Sequence, residues 1–311
     1  MVNLPGGSRE SEDVPILPVS VVVATRERHE MLAGTVRSVL AGDALPSEIL
    51  VIDQSASPWS VRDRPEVPTG VALRYTQSRS RGSSRGRNLG VSQVKHDLVA
   101  ILDDDVLVDP GWLSALVTAL QAGGEWTVVT GRVVAGESDG HGFAPSLREN
   151  DVPERFRGRI RRDVLYGANM GAWTRTVTAV GGFDERFGPG ARWPSAEDND
   201  LAFRLLERGC EIRYVPTAAV THLAWRPIRD VLRVRWTYGR GQGGFYAKHT
   251  RLRDTWMIRR MLGELRWNAR ELGRHMLRAD RWSVTYAMYS AGLLVGFGDW
   301  VLAGVTRRRL P

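Results

Sequence analysis

Three consecutive carboxylates, Asp103, Asp104 and Asp105, end the apolar run Val99–Leu102. Adjacent anions repel one another, so such a cluster is costly unless a cation or solvent offsets it. The run before it has the composition of a strand buried on both faces, and ligands of open α/β sheets bind at the C-terminal ends of strands. A hard divalent cation needs oxygen ligands. Two carboxylates from one strand end can hold Mg2+ or Mn2+ while the ion bridges two phosphates. A solvated acidic turn is the alternative.

Other candidate residues stand at similar places. Asp53 closes the run Ile49–Ile52 and could accept hydrogen bonds from a nucleoside base or ribose, or simply cap a turn. Thr25 and Arg26 follow the β-branched run Val19–Ala24 and could line the same pocket. Arg79, Arg81, Arg85 and Arg87 crowd a Gly/Ser stretch ahead of a helix expected near Asn88–Val94. Guanidinium groups on flexible backbone at a helix start suit phosphate, and equally suit solvent. Glu197-Asp198-Asn199-Asp200 opens a helix, where acidic residues complement the macrodipole, or where one carboxylate could act as general base toward a hydroxyl. His222 follows a strand and could be a third metal ligand, although a lone histidine is usually structural. There is no G-x-x-x-x-G-K-[ST] run and no G-x-G-x-x-G after the first strand; the Gly239–Gly244 run lies in the wrong context for a dinucleotide.

Strand and helix must alternate to position these groups. Strands are expected at Val19–Ala24, Ile49–Ile52, Val71–Tyr75, Val99–Leu102, Thr127–Val134 and Ile212–Val215, and helices at Glu30–Leu40, Trp112–Leu120 and Ala196–Arg208. This predicts an α/β fold with a mostly parallel sheet flanked by helices. Glu137–Arg162 reads as a long loop. After Trp225 a helical pattern takes over. In Met261–Arg278 an apolar spacing runs beside an arginine stripe, Arg266, Arg270, Arg274 and Arg278, which describes a basic amphipathic helix, suited to an anionic membrane surface or packed on the preceding domain with its arginines in solvent. Val284–Val305 is long and apolar but carries Asp299 and glycines, so a buried or interfacial helix is favoured over a span. Three regions follow: a disordered leader over 1–15, a catalytic domain over 16–225 and a C-terminal helical region over 226–311.

The formal charge is +8, and of 43 basic residues only Lys95 and Lys248 are lysines. The charge fits an acidic small-molecule or membrane partner, or reflects arginine-rich composition alone; binding nucleic acid would rest on the arginines by themselves. The single cysteine, Cys210, excludes an internal disulfide and fits a reducing compartment. With no signal pattern at the N-terminus, the expected location is the cytoplasm, at the inner face of the cell membrane.

The segments V-S-V-V-V-A-T-R-E-R, I-L-V-I-D-Q-S-A-S, R-G-S-S-R-G-R-N-L-G, A-I-L-D-D-D-V-L-V-D-P-G-W-L, V-G-G-F-D-E-R-F-G and A-E-D-N-D-L-A-F-R-L, in that order over Pro18–His222, resemble the family 2 glycosyltransferases of GT-A fold. The resemblance implies an inverting transfer from a nucleotide-diphosphate sugar to a glycan, polysaccharide or lipid-linked acceptor, with Mn2+ or Mg2+. By position, Asp53 and Thr25 would contact the nucleoside, and Arg87 would lie near the diphosphate. Asp103-x-Asp105 would bind metal with His222 completing the site, while Asp104 would touch sugar or ribose. Asp198 would be the catalytic base, an assignment that could slip to Asp200. Gly167–Asn169 and Gly181–Glu185 would shape the donor and acceptor pocket. A metal-dependent nucleotidyltransferase acting on sugar phosphates is the competing enzyme class, since it too can end a strand in aspartates.

Overall fold

The computed structural model describes residues 14–137, 142–144, 146–223, 225–251, 253–280 and 282–307. Nearly all of the expected leader, residues 1–13, lies outside them. The β-branched and aliphatic runs form the sheet as expected. Strands β1 (Ile16–Thr25), β2 (Leu45–Asp53), β3 (Ala72–Gln77) and β4 (Leu98–Asp103) are parallel, in the order β3-β2-β1-β4. Successive side chains of β1 serve opposite faces: Val19, Val21 and Val23 join one core, and Val22 joins the other. That explains why the run reads as continuously apolar rather than alternating.

Beyond β4 the sheet becomes mixed. Strands β5 (Val106–Val108), β6 (Thr127–Ala135), β7 (Glu154–Phe156), β8 (Asn169–Trp173) and β9 (Glu211–His222) extend it as β4-β8-β6-β9-β5, with β7 on β9. β8 runs antiparallel to both β4 and β6, while β6 and β9 are parallel. Helices α1 (His29–Leu40) and α3 (Trp112–Gly123) cover one face through Leu32, Val36, Val39, Leu113, Leu116 and Leu120. Helices α2 (Ser83–Gln93) and α5 (Glu197–Glu207) cover the other through Val91, Leu201 and Leu205.

Several expected boundaries move. The stretch expected as an arginine loop already turns helical at Ser83, so Arg85 and Arg87 are on α2 and point about 200° apart around it. Arg85 faces outward to Glu185, and Arg87 faces inward. The expected loop Glu137–Arg162 contains β7, and β9 runs unbroken to His222 instead of ending at Val215.

A short helix, α4 (Thr174–Ala179), follows β8, and the chain ends in three long helices, α6 (Val231–His249), α7 (Trp256–Leu277) and α8 (Ser283–Arg307). The Gly239–Gly244 run is helix interior, and packing is why it can be. A Cβ at Gly239 would stand 2.1 Å from the Tyr289 carbonyl oxygen, one at Gly243 2.0 Å from that of Leu293, and one at Gly296 2.1 Å from that of Arg240. Glycines four residues apart on α6 thus face Gly292 and Gly296 on α8 and bring the two backbones together. Asp299 lies in this seam, paired with Arg240 at 2.7 Å. Gly243→Leu is expected to cost about 1–3 kcal/mol or more by overpacking, read as a lowered Tm.

Candidate functional site

Strand pairing assembles the acidic cluster. Parallel register sets Thr25 beside Asp53 and Ala24 beside Asp103, so the three strands end together. The chain leaves β4 at Asp103, turns through Asp104 and Asp105, and enters β5. β5 pairs antiparallel with β9, with Val106 opposite His222. This delivers the histidine to the carboxylates: His222 Nε2 is 3.4 Å from Asp105 Oδ1. Asp103, Asp105 and His222 each offer one ligand atom, and these atoms lie within 4.8 Å of one another. Asp105 Oδ1 is buried with no hydrogen-bond partner. Two carboxylate oxygens and an imidazole nitrogen suit Mn2+ or a similar divalent ion, and the orphaned oxygen is what such an ion would satisfy, so these residues fit a metal. Burial works against charge on both partners, but their contact wins: Asp105 is brought down to about 2 by His222 and Arg28, and His222 is raised by Asp105.

Asp104 turns the other way. It is fully buried, accepts from Thr25 Oγ1 at 2.5 Å, and is paired with Arg28. Burial raises it to about 6 against the pull of Arg28. Arg28 also donates to Asp105 at 2.5 Å and lines the cavity over the triplet. In the sequence Arg28 belongs to a polar loop, and its signal is a place three residues beyond the end of β1.

On the opposite side stands the start of α5. Its N-cap, Ala196, has φ +68°, a left-handed conformation costly for an alanine. Arg87, almost fully buried, donates to Asp103 at 2.5 Å and to Glu197 at 3.2 Å, linking the triplet to α5. Asp198 accepts from Asn199 N at 2.8 Å and more weakly from Gly167 N at 3.4 Å. Burial, then Glu197 and Asp163, raise Asp198 to about 7. Arg26, Arg28, Arg87, Asp103, Asp105, Gly167, Asp198 and His222 all line one cavity of about 750 Å³.

Asp200, two residues on, is outside it. Arg204, Lys248 and His249 surround its carboxylate at 2.5–2.8 Å and hold its pKa down despite burial. It ties α5 to α6. Asp200→Asn is therefore expected to destabilise the fold by about 3–5 kcal/mol, because Arg204 is left largely buried without its carboxylate and Lys248 keeps only Asp184. A carboxyl whose pKa is depressed in the fold stabilises above its ordinary range near 4 and loses that contribution as pH falls through the depressed value. The Tm gap between wild type and variant should therefore be full at neutral pH and close only in strong acid.

Asp53 is also fully buried and away from the cavity lining. It accepts from Ser55 N, Tyr75 Oη, Trp59 N and His29 Nε2 at 2.8–3.2 Å. Despite burial, the Ser55, Tyr75 and His29 bonds hold its pKa down. It fixes the segment after β2. Asn169 is a structural bolt: it takes a bond from Trp112 Nε1 and donates to the carbonyls of Arg132 and Ala218. Asn88 ties α2 to the Gly181–Glu185 turn through Phe183. The far wall of the cavity was not foreseen. It comes from Asp163 and from Gln242, Glu264, Trp267, Asn268 and Tyr289 on the three C-terminal helices. Tyr246 and Tyr289 both donate to the Glu264 carboxylate, and burial raises Glu264.

The sequence model of the family described as glycosyltransferase like family 2 matches residues 15–239. The pre-mycofactocin glycosyltransferase of Mycobacterium tuberculosis is 28% identical over 208 residues, 65% of this chain; the match spans only 42% of that relative's length. The glucosyl-dolichyl phosphate glucuronosyltransferase of Haloferax volcanii is 30% identical over 220 residues, 66% of this chain and 69% of its own. Among solved structures, a mannosyltransferase of Pyrobaculum calidifontis in complex with GDP-Man and Mn2+ shares the fold with a TM-score of 0.60 at 15% identity, over 91% of this chain and 87% of that one.

Proposed function

The chain belongs to glycosyltransferase like family 2 and is a glycosyltransferase, and on that premise we propose that it moves a sugar, with inversion, from a nucleotide-diphosphate donor to an acceptor hydroxyl. One observation carries the reading: a three-ligand cluster and a buried carboxylate poised near neutrality share one cavity. Asp103, Asp105 and His222 would hold Mn2+ or Mg2+, whose charge offsets that of the departing diphosphate. Asp198 takes the proton from the acceptor hydroxyl as it attacks the anomeric carbon from the face opposite the leaving group. Arg87, buried and fixed between Asp103 and Glu197, adds positive potential on the leaving side and costs no reorganisation during the step. Arg26 lines the nucleotide side. Thr25 and Asp104, bonded to each other, support that wall from behind, and Asp53, on the neighbouring strand end, fixes the segment after β2 beside it.

The Pyrobaculum structure contains GDP-Man and Mn2+, which supports the donor and ion classes. The Haloferax relative's name specifies a sugar on dolichyl phosphate, which supports a glycan or lipid-linked acceptor. So does the far wall, where carboxylate, amide and aromatic side chains suit sugar hydroxyls and ring faces. The arginine stripe Arg266, Arg270, Arg274 and Arg278 is exposed along α7 and at its C-cap. We place the enzyme at the cytoplasmic face of an anionic membrane on that basis. The test is incubation with UDP-, GDP- and dTDP-sugars and Mn2+. Release of nucleoside diphosphate is expected; no release from any of these donors, with pyrophosphate released instead from a nucleoside triphosphate and a sugar 1-phosphate, would mark a nucleotidyltransferase and sink the reading.

A further inference from the structure

α8 has two unlike faces. The inner one is sealed on α6 through Gly292, Gly296 and the Arg240–Asp299 pair. The outer one exposes Val284, Ala287, Ala291, Leu294, Val295, Val301 and Leu302. These follow helical spacing, and no charged side chain interrupts them over about 27 Å at 1.5 Å per residue. An unbroken apolar stripe of this length on an exposed helix marks an interaction surface.

A second cavity, of about 420 Å³, opens where α8 ends. Trp193, Trp300, Ala303 and Gly304 make its apolar side, and Arg81, Arg85, Arg186 and Arg192 crowd its rim. Arg186 and Arg192 lie over Trp300 and Trp193, with guanidinium carbons 4.4 and 4.9 Å from the ring centroids. Two of the four charges are already answered, Arg85 by Glu185 and Arg186 by Asp184. Among the described residues, Arg81 and Arg192 have no carboxylate partner.

From this juxtaposition we infer that α8 lies along an anionic phospholipid bilayer rather than across it. Its outer stripe enters the acyl boundary, and the arginine-tryptophan cavity at its end takes a lipid headgroup phosphate. The inference deepens the membrane reading of α7 and rests on it. The observations favour a bilayer over another protein surface. Trp300 and Ala303 of the cationic pocket follow Gly296 on the inner side of α8, so with the outer stripe in the acyl boundary the pocket lies across the helix, on the side of the headgroup phosphates. A transmembrane crossing is disfavoured because the inner face of α8 is bound by backbone-close packing to α6, which itself packs on Trp193 and Ser195 of the catalytic part.

The test is co-flotation of the full chain with vesicles of phosphatidylcholine alone or with about one-third phosphatidylglycerol. Wild type is expected to float with the anionic vesicles only. Arg81→Glu/Arg192→Glu, and separately Leu294→Gln/Leu302→Gln, all at exposed positions, are each expected to lower partitioning by tenfold or more. If wild type ignores anionic vesicles, both this inference and the membrane reading fall. If both variants float like wild type while Arg266→Glu/Arg270→Glu does not, the membrane reading stands and this inference falls. It also falls if inorganic pyrophosphate raises the Tm of wild type but not of the arginine variant with no flotation, which would mark a soluble-phosphate site. Dimers that Leu294→Gln/Leu302→Gln converts to monomers, again without flotation, would assign the stripe to a second copy.

Discussion

Asp198→Asn is expected to lower turnover by about 10²–10⁴-fold, the usual worth of a positioned general base, and at the same time to raise the Tm. Both effects have one origin. Burial, Glu197 and Asp163 raise the Asp198 carboxyl to about 7. An acid whose pKa is raised by folding destabilises the fold progressively as pH climbs from its ordinary range through the raised value, since the charged form must be held where it is disfavoured. Asparagine keeps the shape and removes that cost. The gain in Tm should be small near pH 5 and larger above pH 7. The same titration shapes the rate: kcat/KM, which reports groups of the free enzyme, should rise through about pH 7 and level off above it, and the variant should lack that limb. A variant both stabler and inactive separates a catalytic carboxylate from a structural one. Asp200→Asn is expected to do the reverse to stability. If Asp198→Asn turned over near the wild-type rate, the assignment of the base would fail.

This contrast also shows where sequence reasoning runs out. Asp198 and Asp200 sit in one E-D-N-D run, and nothing in the run tells them apart. α6 brings Lys248 and His249 to Asp200 and leaves Asp198 facing the cavity. β1, β2 and β4 were legible because each holds an apolar run ending in a polar residue, and their C-terminal ends do converge. β5 and β7 are three residues long, too short to show any period. Pro216 interrupts the apolar reading of β9, which the structure carries through with a register shift against β6. β5 is the element that seats His222 beside Asp105. The members of the metal cluster could therefore be named one at a time from their residue types, while their meeting depends on a strand that leaves no pattern. α2 begins in a Gly/Ser/Arg stretch without apolar periodicity. Its helix is set by contacts: Ser84 donates to the Phe187 carbonyl, and Gly86 and Gly90 let the helix lie on Ala24 and Val22 of β1. The far wall of the cavity lay outside any motif, and the family match ends at residue 239, before α7 and α8 begin.

Asp105→Asn is expected to abolish metal-dependent behaviour where Asp104→Asn does not. Asp105 carries the buried oxygen without a partner and shares the cluster with Asp103 and His222. An amide oxygen is a poor substitute for a carboxylate toward a hard cation. Loss of outer-shell partners alone typically costs about 10–100-fold in metal affinity, so loss of a direct ligand should cost more than about a hundredfold. The measurement is the Mn2+-induced rise in Tm. In wild type it should grow with ion concentration, as for any ligand that binds only the folded chain. In Asp105→Asn it should vanish over the same range, with sugar transfer lost alongside. In Asp104→Asn the ion response should persist, because that side chain is engaged with Thr25 and Arg28; the cost there is a shift in Arg28. Acid should weaken the wild-type response as well. Asp105 raises the His222 pKa against burial, and a protonated imidazole must release its proton before it can bind an ion. The Mn2+ response should therefore fade as pH drops through that raised value, while His222→Gln, with no proton to release, should show a weaker response that is flat in the same window. An Mn2+ response in Asp105→Asn equal to that of wild type would remove the cluster from the role proposed for it, whatever became of the transfer reaction.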